Sequence, residues 1–161
     1  MRKHAAAAGL NSNFTILDTE DQIRLVKNIC KSENIDTKKI APKAILTVID
    51  KWKNKGYYPD SVKINKKDIY EKIILPIYKI YQQKLLDLNE CDFGDLILHC
   101  VNILEKNLDI GEIYSNNFKY ILVDEYQDTN FIQSKWLNLL AKKHKNICCV
   151  GDDDQSIYSW R

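Results

Sequence analysis

The sequence contains no apolar run approaching ~20 residues, so nothing in it reads as a membrane-spanning helix. Glycine and proline are scarce, at 5 and 3 in 161 residues, and 29% of the chain is charged, which together exclude fibrous and disordered classes. The net charge of +2 is too small to imply a partner by itself. No secretory leader is expected either. Ala5-Ala6-Ala7-Ala8, after Met1-Arg2-Lys3-His4, is too short and not aliphatic enough for one, and reads as the end of a helix stopped at Gly9. The five cysteines (Cys30, Cys91, Cys100, Cys148, Cys149) have no metal-ligand spacing. Their odd number without a leader indicates a reducing cytosol and buried free thiols, so the expected location is cytoplasmic. No internal repeat is visible.

The 45% hydrophobic content is enough for a real core. Charge is unevenly distributed. Thr37 to Lys72 holds ten lysines against four acids, whereas Asp124, Glu125, Asp128 and Asp152-Asp153-Asp154 gather in the last forty residues. A basic stretch and an acidic site on one chain suit a protein that meets polyanions and holds a divalent metal. A lysine-rich solvated surface is the plainer alternative.

Two compositions follow each other. Residues 1 to about 115 read as helices with little strand signal. Thr19 is placed to cap a helix, with Gln22 completing a capping box and Ile23, Val26, Ile29 and Cys30 on one face. A second helix starts near Pro42, carries Ile45, Val48, Ile49 and Trp52, and stops near Gly56. A third, about Lys66 to Asp87, contains Pro76 and should kink or break at Leu75. A fourth starts at Asp92 as N-cap, with Phe93 packed. From residue 116 the period changes. Tyr120 to Val123 and Ile147 to Val150 are short continuous apolar runs, the signature of strands buried on both faces of a parallel sheet, and Thr129 to His144 is an amphipathic helix between them, with Ile132, Trp136, Leu139 and Leu140 inward. The result is one βαβ unit with acidic clusters beyond the carboxyl ends of its strands, where such sheets bind ligands.

The chemistry is concentrated there. Ile121-Leu122-Val123-Asp124-Glu125 is an apolar strand with two acids at its tip. In this arrangement the Asp can hold the Mg²⁺ of a nucleotide while the Glu orients and deprotonates the attacking water. The plainer reading has Asp124 capping the next turn and Glu125 solvated. The run continues Tyr126-Gln127-Asp128-Thr129-Asn130, and 21 residues after Thr129 comes Val150-Gly151-Asp152-Asp153-Asp154-Gln155-Ser156-Ile157-Tyr158-Ser159-Trp160-Arg161. A calcium-binding EF-hand at Asp152 to Asp154 is excluded, because its Gly and terminal Glu are missing.

These two strings closely resemble motifs II and III of the UvrD/Rep/PcrA family of superfamily 1 DNA helicases. Weaker likeness extends upstream, through Asn13 to Asp18, Trp52-Lys53-Asn54 and Cys91 to Leu96, to that family's helical insert. The resemblance implies an α/β fold, mostly helical by count. A helical insert over 1–115 would precede a partial parallel sheet over 116–161 belonging to a RecA-like motor domain. It implies ATP and Mg²⁺, with Asp124 as metal and nucleotide ligand, Glu125 as catalytic base, and Gln155 reaching the γ-phosphate. Tyr158, Trp160 and Arg161 would contact single-stranded DNA; stacking suits a motor because it is tolerant of base sequence. Implied partners are single-stranded DNA and the single-/double-strand junction, with repair proteins unspecified. Polarity would be 3′ to 5′. The plainer readings are core packing for Tyr158 and Trp160, a loop hydrogen bond for Gln155, and a solvated turn for Asp153 and Asp154. Lys53 has two readings: with Lys55 it touches duplex phosphates, or it is a solvated lysine beside a core Trp52.

The chain departs from the family pattern in holding no Gly-Lys-Thr or Gly-Lys-Ser phosphate loop. It is therefore expected to be an excised fragment or broken gene product, without ATP turnover of its own and with open edges on its buried-type strands. Two other functions are open: a non-catalytic helical module binding DNA or protein, motivated by the Lys excess, and a metal-dependent nuclease using Asp124, Glu125 and Asp152.

Overall fold

The computed structural model describes residues 1–64, 68–152 and 154. The chain divides into two compact units, Met1–Leu96 and Ile97–Arg161. Their boundary lies inside a helix, whereas composition changes only after about residue 115.

In the first unit a 3₁₀ segment, Arg2–Ala8, precedes β1 (Thr15–Ile16), α1 (Thr19–Ser32), α2 (Pro42–Asn54), α3 (Ile69–Asp87), β2 (Glu90–Cys91) and the start of α4 (Phe93–Lys106). Asp18, not Thr19, caps α1, its carboxylate accepting from Asp21 N at 2.8 Å. Pro42 opens α2 as expected. Pro76 does not break α3, which runs on to Asp87. Pro76 and Lys72, whose carbonyl loses its partner, are both exposed, so water can serve that carbonyl. The short parallel pairing of β1 with β2 carries no sequence signal, because two residues are too few to show a period.

Helices α1, α2 and α3 enclose a core of Val26, Ile29, Cys30, Ile45, Ile49, Trp52, Ile77, Tyr78, Tyr81 and Leu85, with Trp52 stacked on Tyr78 at 5.8 Å between ring centroids. Ile23 and Val48 pack at its margin. Phe93 is the exception to the expected pattern: it is 65% exposed, because it opens α4 on the outward side of the turn.

Lys53 requires a correction. Neither solvated nor offered to phosphates, it is 0% exposed, and its ammonium lies 2.6 Å from Asp92 Oδ2 and 2.8 Å from Asp95 Oδ1. Tyr81 Oη donates to Asp92 at 3.0 Å and Gln82 Nε2 to Asp95 at 3.0 Å. Asp95 N donates to Asp92 Oδ1 at 2.8 Å, so the carboxylate that caps α4 also serves the lysine. Burial pushes the Lys53 ammonium down, but Asp95 and Asp92 push it up by more, so it stays charged. A Cβ on Gly94 would lie 2.9 Å from Lys53 Cδ, so the stem passes where no side chain fits.

The second unit contains the rest of α4, then α5 (Leu108–Asn117), β3 (Ile121–Val123), a 3₁₀ turn at Tyr126–Asp128, α6 (Phe131–Ala141) and β4 (Ile147–Cys149). β3 pairs with β4 in parallel, Ile121 opposite Ile147 and Val123 opposite Cys149. The expected βαβ order is present. Asn130 caps α6 with a full capping box through Gln133. Ile132 and Leu140 are buried, Trp136 and Leu139 half-buried. The strands are not buried as their composition suggests: Leu122 is 76% and Tyr120 82% exposed, and Cys148 and Cys149 are exposed rather than buried thiols. Among the described residues the sheet has two strands, too few to cover a face. No helix among the described residues is long and apolar enough to cross a membrane.

Replacing Lys53 by Met strands two buried carboxylates and should cost about 3–5 kcal/mol, read from the urea midpoint. A loss under about 1 kcal/mol, the range of exposed pairs, contradicts this placement.

Candidate functional site

Parallel pairing sends the carboxyl ends of β3 and β4 to the same edge. Two backbone hydrogen bonds continue the pairing past the strands: Val150 N to Val123 O at 2.8 Å and Tyr126 N to Val150 O at 3.0 Å. Asp124 and Glu125 therefore emerge beside Gly151 and Asp152. Asp124 Oδ1 accepts from Glu125 N at 2.9 Å. Glu125 itself takes the left-handed conformation, φ 52 and ψ 42, which costs a residue with a Cβ about 1–2 kcal/mol. The turn beyond it holds that conformation: Asp128 N donates to Glu125 O at 2.9 Å and Thr129 Oγ1 to Tyr126 O at 2.7 Å.

Gln127 joins the two strand tails. Its Nε2 donates to Glu125 Oε2, and its Oε1 accepts from Asp152 N at 3.0 Å. Gly151 makes room for this. A Cβ there would sit 2.5 Å from Gln127 Oε1 and 3.2 Å from the backbone nitrogens of Tyr126 and Gln127. Asp152 Oδ1 in turn accepts from Asp154 N at 3.0 Å.

Asp124 and Glu125 are exposed. Their oxygens are hard donors of the kind Mg²⁺ prefers, and Mg²⁺ is commonly held by one or two carboxylates with water and phosphates completing the shell. Among the described residues no group of three or more His, Cys, Asp or Glu could hold an ion. Two carboxylates would leave the rest of such a shell to water and phosphate.

Of the residues singled out by sequence, Asp124 and Glu125 stand together at the tip of β3. Gln155, Tyr158, Trp160 and Arg161 lie outside the described residues, as does Asp153. Lys53 belongs to the first unit and is consumed by its ion cluster. Gln127 and Gly151 were not singled out by sequence reasoning. Both lie inside the two quoted strings, but only the fold shows that a side chain from one fills the space left by the other.

The family model described as "UvrD/REP helicase N-terminal domain" matches residues 1–161. The chain is 47% identical over 154 residues to a probable DNA helicase II homolog of Rickettsia conorii, covering 95% of this chain and 24% of that protein. It is 42% identical over 161 residues to ATP-dependent DNA helicase PcrA of Staphylococcus epidermidis, covering 100% of this chain and 22% of that protein. The PcrA of Staphylococcus aureus gives the same identity over the same span. The chain therefore spans roughly a quarter of the length of the curated relatives it matches.

Gly151→Ala should displace Gln127 and destabilise the second unit by about 1–3 kcal/mol, the usual cost of overpacking. Thermal unfolding checks this, and a variant as stable as the parent contradicts the close approach.

Proposed function

Because the chain belongs to the UvrD/REP helicase N-terminal domain family, we propose that it supplies part of the motor of an ATP-dependent DNA helicase. The family is one of enzymes, and the proposed reaction of the whole protein is ATP hydrolysis coupled to 3′-to-5′ unwinding in DNA repair or replication. The observation that carries the reading is the parallel pairing of β3 with β4, which sets the Asp124-Glu125 pair beside the Gly151-Asp152 turn.

In this reading water attacks the γ-phosphorus, the bond to the ADP oxygen breaks, and Glu125 accepts the proton of the water. Asp124 would hold the Mg²⁺, which when bound would supply charge neutralisation at the phosphate oxygens. The left-handed backbone at Glu125 supports the assignment, since strain in a residue of this kind is retained where surrounding structure holds it for a purpose. Gln155 is proposed to reach the γ-phosphate, and Tyr158, Trp160 and Arg161 to grip single-stranded DNA. Residues 1–115 serve as the helical insert and 116–161 as part of the RecA-like motor domain. The site of action is cytoplasmic, on single-stranded DNA and its junction with duplex; repair proteins are further partners of unspecified kind.

A second reading gives the helical unit a binding role of its own. It has its own core, and Lys38, Lys39, Lys43, Lys51, Lys55, Lys63 and Lys72 are exposed. Lys53 is not among them.

This chain holds no Gly-Lys-Thr or Gly-Lys-Ser, so alone it is expected to show no ATP turnover. The full-length protein carrying it should hydrolyse ATP in response to single-stranded DNA, and Glu125→Gln should reduce that rate by about 10²–10⁴-fold. Full activity in the variant overturns the base assignment. If the exposed lysines meet phosphates, duplex binding by the chain should fall steeply between about 50 and 200 mM salt. A flat salt dependence removes the second reading.

A further inference from the structure

We propose that Gln127 is a positioning residue that couples the aim of Glu125 to the position of the segment following β4. The inference rests on the reading of Glu125 as the base. A carboxylate can only accept and a backbone N–H can only donate, so the two partners leave one orientation for the carboxamide: Nε2 toward Glu125 Oε2 and Oε1 toward Asp152 N. The group is planar and rigid. A shift of the Asp152 backbone moves Oε1, and Nε2 moves with it.

Glu125 needs such a constraint. It is exposed and has three side-chain torsions, so nothing in its burial selects one direction for the carboxylate. Gln127 donates to it from two residues along the same turn, while being anchored at its other end to a different strand tail. Gly151 is the third part of the device. The close approach of Gln127 Oε1 to this position leaves no space for a Cβ, which brings the carboxamide within reach of Asp152 N.

The test separates the two ends of the carboxamide in the full-length protein. Gln127→Glu keeps an acceptor for Asp152 N but loses the donor to Glu125. Gln127→Met keeps the length and loses both. Both variants should lower kcat for ATP by about 10–100-fold, the scale of a misaimed reacting group, with KM for Mg-ATP within about threefold. Hydrogen exchange at the Asp152 amide should stay slow in Gln127→Glu and accelerate roughly five- to tenfold in Gln127→Met. Unchanged protection of the Val150 and Tyr126 amides would show that the strand pairing survives in both.

Wild-type kcat in either variant overturns the proposal, as does a loss carried by KM alone. Glu125→Gln is run beside them. If it is inactive while the Gln127 variants are fully active, positioning fails and the base reading stands. If it keeps full turnover, the base reading itself fails, and the coupling falls with it.

Discussion

The site depends on one constraint, the parallel pairing of β3 with β4 and its continuation through the Val150–Val123 and Tyr126–Val150 backbone hydrogen bonds. An antiparallel pair would put Asp124-Glu125 and Gly151-Asp152 at opposite ends of the sheet. Parallel strands need a long crossover, which α6 supplies, and the reward is that both strand tails reach the same edge. The capping box at Asn130 starts that crossover immediately after the acidic turn, so the turn is pinned between a strand end and a helix start.

That edge is held by polar contacts more than by packing. Leu122 and Val150 are exposed, and Ile121, Val123 and Ile147 are only half-buried among the described residues. The geometry of Asp124 and Glu125 therefore rests on short-range hydrogen bonds: Asp124 to the Glu125 amide, Gln127 to both tails, Thr129 back to Tyr126. Each such bond contributes only about 0.5–1.5 kcal/mol net. Against this stands the cost of a left-handed Glu125, so the conformation persists because several bonds agree, not because one is strong.

Much of this was legible in sequence, for identifiable reasons. Ile45, Ile49 and Trp52 recur at helical spacing and are buried, and the Tyr120 to Val123 and Ile147 to Val150 runs mark the two paired strands. The adjacent acids at a strand tip were legible because position relative to the strand gives them their chemistry. What failed depends on contacts far apart in sequence. The cap of α1 moved to Asp18 because Ser, Thr and Asp compete for that role and the neighbouring backbone decides. Pro76 stays within α3, where Lys72, whose carbonyl it frees, is exposed and open to water. Exposed Leu122 contradicts a rule that presumes a fully covered sheet. Gln127 was hidden because both of its partners also lie in acidic, loop-like surroundings where a Gln looks ordinary.

Lys53 shows the same limit from the other side. In sequence it is one of ten lysines in a basic stretch; in the fold it lies opposite Asp92 and Asp95, 39 and 42 residues on. A buried ion cluster is weak evidence for added stability, because desolvating three charges offsets most of their attraction. Its effect is better seen as selectivity. The observed arrangement of α2, α3 and the start of α4 gives the lysine, both carboxylates, the Tyr81 hydroxyl and the Gln82 amide nitrogen partners together. Any other packing of the same apolar faces would bury an unpaired charge, at a cost of several kcal/mol. The cluster thus specifies how the helical unit closes, and it withdraws one cation from the surface. Any attraction of that unit for a polyanion must come from its other, exposed cations, among them Lys43, Lys51 and Lys55.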